Sequence, residues 1–256
     1  MAGLRKLFAD RSFKVATMIA EFDSPGIGHI VKGAGIDFAF LDLEHSGFGI
    51  DTCKRMLRYL QAAAVPTLVR PPSKEYHHIA RALDVGAEGL MLPMVGSRQE
   101  CEQILRYMKY EPLGGRGVGL SMAHDDYTGG AVLPKLKMLN ERSCMVPLIE
   151  TADGVENIEE IAKVKGVDAL WVGHFDLSCS LGIPGEFESP KFKAALKRVV
   201  KAAAAAGKPL GRLVPNVAEG VKQHKAGFTM LCYSGDAWLL QAALREGAQA
   251  LRAKCK

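Results

Sequence analysis

The chain has 256 residues, 48% hydrophobic and 24% charged, a balance that suits one folded α/β unit and excludes a disordered chain, a collagen-like repeat and a solenoid. Its 33 Lys and Arg against 28 Asp and Glu give a formal charge of +5, but the basic residues are scattered singly, so a nucleic-acid surface is not expected. No apolar run approaches the ~18 residues of a membrane span, and the six cysteines form no Cys-x-x-Cys pair or zinc spacing, so reduced thiols in a cytoplasmic protein are expected.

Short runs rich in Val, Leu, Ile and Phe alternate with segments of helical spacing, the pattern of parallel β/α units. Eight strands are expected: Lys14–Glu21, Phe38–Leu43, Pro66–Arg70, Gly89–Pro93, Cys144–Glu150, Ala169–Gly173, Pro209–Val214 and Thr229–Tyr233. Eight units in this length predict an α/β fold of the (β/α)8 TIM-barrel type spanning residues 1–256 as one domain. Between strands, Ile50–Ala64 places Ile50, Cys53, Met56, Leu57 and Leu60 on one helical face, with Asp51 as the expected N-cap. Ala-rich Lys191–Ala206 ends at Gly207, as a helix with a glycine stop should. The long segment Lys109–Arg142, with its glycine clusters and a helix over Val132–Glu141, is expected near the active-site face as a lid or a subunit contact.

Barrel chemistry sits at the C-terminal ends of strands, and there the apolar runs turn abruptly polar. Strand two ends in Asp42-Leu43-Glu44-His45, strand three in Arg70-Pro71-Pro72, strand five in Leu148-Ile149-Glu150, and strand six in Gly173-His174-Phe175-Asp176. Glu150 and Asp176, on adjacent strands with no cysteine nearby, form a hard oxygen pair suited to Mg²⁺ or Mn²⁺; spacing alone leaves a two-carboxylate glycosidase pair open. Arg70 has the fork geometry for a carboxylate or an enolate oxygen. The run Gly114-Gly115-Arg116-Gly117-Val118-Gly119 lacks the Gly-Lys-Ser/Thr of a phosphate loop, and His77-His78 point about 100° apart on one helix. No Gly-x-Ser-x-Gly elbow and no strand-tip lysine are present, which disfavours acyl transfer and Schiff-base chemistry.

In their order and spacing, DLEHSGFGID, LVRPP, ALDVGAEGLMLPMV, GGRGVG and IETADGVENIEEIAKVKGVDALWVGHFDLSCSLG resemble the HpcH/HpaI aldolase family, metal-dependent class II pyruvate aldolases of the aldolase/citrate lyase superfamily. The resemblance runs from about Ile19 to Leu240 and implies a phosphoenolpyruvate/pyruvate-type barrel. It implies that Glu150 and Asp176 hold a divalent ion (Mg²⁺, Mn²⁺ or Co²⁺), that Arg70 meets the keto oxygen, and that His45 is the base. It further implies that Asp42 and Asp84 orient that histidine, Asp84 from a neighbouring subunit, and that the Gly173–Asp176 turn holds the substrate carboxylate through backbone N–H groups. Family members exchange their last helix between protomers, commonly as hexamers, so a homo-oligomer is expected.

Two departures bear on substrate choice. Leu148 stands where many relatives carry glutamine near the keto acid, and His174 where proline is common. The expected activity is cleavage of a 4-hydroxy-2-oxo acid to pyruvate and an aldehyde through a pyruvate enolate whose charge the metal spreads. The alternatives are oxaloacetate decarboxylation and a barrel that binds a 2-keto acid without turnover; a coenzyme A ester lyase is disfavoured because no basic cradle for the nucleotide is visible.

Overall fold

All eight expected strands form, in sequence order, and the last pairs with the first, so the parallel sheet closes into a barrel. In the computed structural model, which describes residues 3–255, the strands are β1 Lys14–Ile19, β2 Phe38–Asp42, β3 Thr67–Arg70, β4 Gly89–Leu92, β5 Cys144–Ile149, β6 Leu170–Val172, β7 Leu210–Val214 and β8 Met230–Gly235. The fold is the (β/α)8 TIM barrel. Among the described residues no helix is long and apolar enough to cross a membrane.

Side-chain alternation along each strand divides the core in two. Phe38, Phe40, Leu68, Met91, Val146, Leu148 and Trp171 fill the barrel, while Leu41, Val69, Leu90, Ile149, Leu170 and Val172 pack outward against the helices. The interior is a packed core rather than a pore. At the N-terminal end of the strands, helix Leu4–Ala9 closes the barrel with Leu4 and Phe8, the latter edge-on to Phe38 at 5.5 Å between ring centres. Gly211 is required by the interior: a Cβ there would stand 2.1 Å from the Trp171 ring.

The helices follow the expected amphipathic logic. Ile50–Ala62 buries Cys53, Met56, Leu57 and Leu60, but its N-cap is Gly49 and Asp51 lies in its first turn. Asp51 therefore faces the positive end of the helix dipole rather than capping it. Helix Pro190–Ala205 starts with Ser189, whose Oγ accepts from the Phe192 N–H at 3.2 Å, and stops before Gly207 at φ +64°. The last helix, Asp236–Lys254, is different in kind. It runs for 19 residues, buries none of them, and leaves Trp238, Leu240, Leu244 and Leu251 exposed.

The segment after helix Arg98–Met108 departs from expectation. It joins a helix end to the start of β5, and such connections lie at the end of the barrel opposite the active face. From there it runs along the outside of the helical layer. Lys109 Nζ is buried on the Asn140 and Ser143 carbonyls, the Arg116 guanidinium stacks 4.7 Å from the Tyr110 ring centre and meets Asp84, and the Gly117 N–H donates to Tyr76 Oη at 2.8 Å. The glycine-rich loop is thus no lid over its own chain's cleft.

Candidate active site

The C-terminal ends of the strands surround a cavity of about 410 Å³ lined by Asp42, His45, Arg70, Leu148, Glu150, Gly173, His174, Phe175 and Asp176. Nine of the ten residues singled out from the sequence converge there. The tenth, Asp84, ends helix Tyr76–Asp84 just ahead of β4, at the other end of the barrel, where its partner is Arg116.

Asp42 and Arg70 are neighbours across the β2–β3 register, and the contact follows from that pairing. Arg70 Nε and Nη2 donate to the two Asp42 oxygens at 2.8 and 2.6 Å, and Nη1 lies 3.0 Å from Glu44 Oε2. Burial pulls the Arg70 pKa down, but the Asp42 hydrogen bonds and the Asp42, Glu44 and Glu150 charges outweigh it and raise it above its usual value. Asp42 Oδ1 also accepts from the Glu44 N–H at 3.0 Å. Asp42 is therefore spent on Arg70 and its own loop, and no hydrogen bond from it to His45 occurs among the described residues. The carboxylate beside His45 is Glu44, at 3.8 Å, and the imidazole itself is largely open to solvent, its side chain 64% exposed. Burial raises the Glu44 pKa against the lowering pull of Arg70 and His45. Glu44 stands in the Asp-Leu-Glu-His run, but its reach to both Arg70 and His45 is set by its rotamer, which the sequence does not carry.

Glu150 follows β5 directly and is 2% exposed. One oxygen accepts from the Met94 N–H at 2.7 Å, and the other packs over Gly173, where a Cβ would lie 2.2 Å away. Glycine at 173 is what lets the carboxylate stand at the cleft floor. Burial pushes the Glu150 pKa up to about 7, helped by the Asp176 and Glu44 charges and opposed by the Met94 N–H and Arg70. Asp176 sits in the first turn of helix His174–Ser180. The Gly173 N–H is bonded to the Ile149 carbonyl, and the His174, Phe175 and Asp176 N–H groups open the helix with no acceptor within it. Burial, reinforced by Arg212, holds His174 at about 4, so this imidazole is neutral near pH 7. It packs 4.5 Å from Phe175 and 5.2 Å from Phe187 between ring centres.

The family model for HpcH/HpaI aldolase/citrate lyase matches residues 18–238. The chain belongs to the HpcH/HpaI aldolase/citrate lyase family. It is 32% identical over 227 residues to a hydroxypyruvate/pyruvate aldolase of Chromohalobacter salexigens, covering 89% of each chain. It is 32% identical to the 5-keto-4-deoxy-D-glucarate aldolase of Escherichia coli over 86% of this chain and 85% of that one. The crystal structure of an HpcH/HpaI aldolase from Desulfitobacterium hafniense superposes with a TM-score of 0.91 at 32% identity, covering 98% and 97% of the two chains. Together with the fold, these relatives make the chain a class II aldolase, a carbon–carbon lyase.

Proposed function

We propose that this chain is a divalent-metal-dependent aldolase that cleaves a 4-hydroxy-2-oxo acid to pyruvate and an aldehyde. The observation that carries the reading is the convergence of buried Glu150, Asp176, clamped Arg70 and solvent-facing His45 on one cavity. Glu150 and Asp176 fit the role of metal ligands. The Glu150 carboxylate is seated over a glycine that leaves no room for a Cβ, and burial, with the Asp176 and Glu44 charges behind it, raises its pKa, a cost that a bound cation would offset. Two carboxylates would leave the remaining positions around a hard ion to water and substrate.

When bound, the ion supplies a Lewis acid for the negative charge that develops on the keto oxygen. The chain's own residues do the rest. The His174, Phe175 and Asp176 N–H groups offer donors for the substrate carboxylate. Arg70, held by Asp42, points a fixed positive charge at the keto oxygen and needs no reorganisation during the reaction. His45 takes the proton from the C4 hydroxyl as the C3–C4 bond breaks, and returns a proton in the reverse direction. Glu44, between Arg70 and His45, orients the imidazole, the role that the family resemblance implies for Asp42. Asp84, remote from His45 in its own chain, would serve the His45 of another copy.

We further propose a homo-oligomer of single-domain barrels, hexameric by family likeness, in which helix Asp236–Lys254 packs on a neighbour. The support is its exposed apolar residues and lack of any buried one. All six cysteines are free thiols, in keeping with a cytoplasmic enzyme. The test is exchange of the pyruvate methyl protons in D2O, with metal-free protein and then with Mg²⁺, Mn²⁺ or Co²⁺. Exchange that depends on the ion is expected; no exchange with any of them refutes the aldolase.

A further inference from the structure

We infer that the aldehyde partner of this enzyme is uncharged and apolar, an aromatic or alkyl aldehyde rather than a phosphorylated, carboxylated or polyhydroxylated one. The inference rests on the aldolase reading and names the substrate class of the same site.

The cavity has two unlike walls. One holds the polar set described above. The other is built from Met18, Leu148, Trp171, Leu213, Phe175 and Trp238. Leu148 and Trp171 are buried inside the barrel, whereas Phe175 and Trp238 are 62% and 52% exposed, so the apolar wall continues from the floor to the mouth. A ligand held by its keto acid at the polar wall projects its remaining carbons along these side chains.

The remaining polar groups give a charged tail nothing to bind. Arg70 is the one Lys or Arg lining this cavity among the described residues, and it is committed to Asp42 and Glu44. Asp236 accepts from the Ala20, Glu21 and Phe22 N–H groups at 3.2, 3.0 and 2.9 Å, which pins the loop after β1 and spends the carboxylate. Glu21, at the rim, repels an anion. His174 sits between the Phe175 and Phe187 rings. A second carboxylate or a phosphate would lose its water without gaining a countercharge, and a polyol would leave its hydroxyls unpaired. An apolar tail loses nothing and buries its surface.

The step is an ordinary aldol balance. Pyruvate C3 gives up a proton and bonds to the aldehyde carbon, the carbonyl electron pair moves to oxygen, and that oxygen takes a proton; no further reactant is needed.

The experiment measures kcat/KM of the full-length protein with Mn²⁺ and pyruvate for phenylacetaldehyde, hexanal, glycolaldehyde, succinic semialdehyde and glyceraldehyde 3-phosphate. The first two are expected to exceed the charged pair by at least about tenfold. Phe175→Ala and Trp238→Ala are expected to lower the hexanal-to-glycolaldehyde ratio, and Leu148→Gln to shift it toward glycolaldehyde. In a direct binding measurement, 2-oxo-4-phenylbutanoate should outcompete 2-oxoadipate. Methyl-proton exchange of pyruvate without aldehyde separates the two readings. Exchange together with equal or better use of the charged aldehydes overturns this inference alone, and absence of exchange overturns the aldolase and this inference with it.

Discussion

Asp42 grips Arg70 through two parallel hydrogen bonds of 2.8 and 2.6 Å, with the carboxylate 1% exposed and the buried Arg70 lining the cavity. The pair orients the one guanidinium in the site and makes each partner costly to remove. Arg70→Ala leaves Asp42 as a buried, uncompensated charge, and a loss of about 3–5 kcal/mol of stability is expected in denaturant titration. Arg70→Lys keeps the charge but not the fork, so the fold should survive better while kcat falls by about 10²–10³. Equal kcat in wild type and Arg70→Lys would show that the fork is not used.

The acidity of Glu150 gives metal binding a pH profile. Its folded value of about 7 stands above the ordinary 4.5, so the metal-free folded protein holds an extra proton between the two. That contribution to stability is complete below 4.5 and is lost as the pH rises through 7. A divalent ion must displace the same proton, so the apparent Mn²⁺ affinity should climb up to tenfold per pH unit below about 7 and level off above it. Calorimetric titration across that range checks this, and a flat profile contradicts it. Glu150→Gln should weaken Mn²⁺ by at least about a hundredfold and abolish the slope.

His45 distinguishes two reactions that share an enolate. Aldol cleavage needs a base for the C4 hydroxyl, whereas loss of carbon dioxide from oxaloacetate does not. The variant His45→Ala is expected to lose aldol cleavage by about 10²–10⁴ while decarboxylation persists. Parallel loss of both would assign His45 to enolate formation instead.

The barrel interior can be tested far from the chemistry. Gly211→Ala drives a methyl into the Trp171 ring, 2.1 Å away, where the packed core cannot yield. A loss of about 1–3 kcal/mol is expected, seen as a lowered Tm of several degrees. An unchanged Tm would mean that the Trp171 ring has another rotamer within reach.

Strand positions and the cavity's main polar residues were legible in the sequence because both are local. Period-two alternation marks a strand, and an abrupt change from apolar to polar marks its tip, as at Asp42, Arg70 and Glu150. What was not legible depends on partners distant in the chain. Asp51 has the side chain of a cap, but the backbone enters that helix two residues earlier, at Gly49. Asp42 was expected beside His45, three residues away, yet the register of β2 against β3 sets it against Arg70, 28 residues on. The glycine-rich loop differs for a topological reason: a segment between a helix and the next strand starts from the barrel's other end, whatever its composition.

The placement of Asp84 has a consequence for mixed assemblies. A carboxylate at one end of the barrel cannot reach the His45 at the other end of the same chain, so if it serves catalysis it does so in another copy. Chains of His45→Ala and Asp84→Asn, each inactive alone, would then complement one another when unfolded and reassembled together, because a site that takes its histidine from one and its aspartate from the other is whole. The unit of inheritance for such an enzyme is the chain, but the unit of catalysis is the contact between chains.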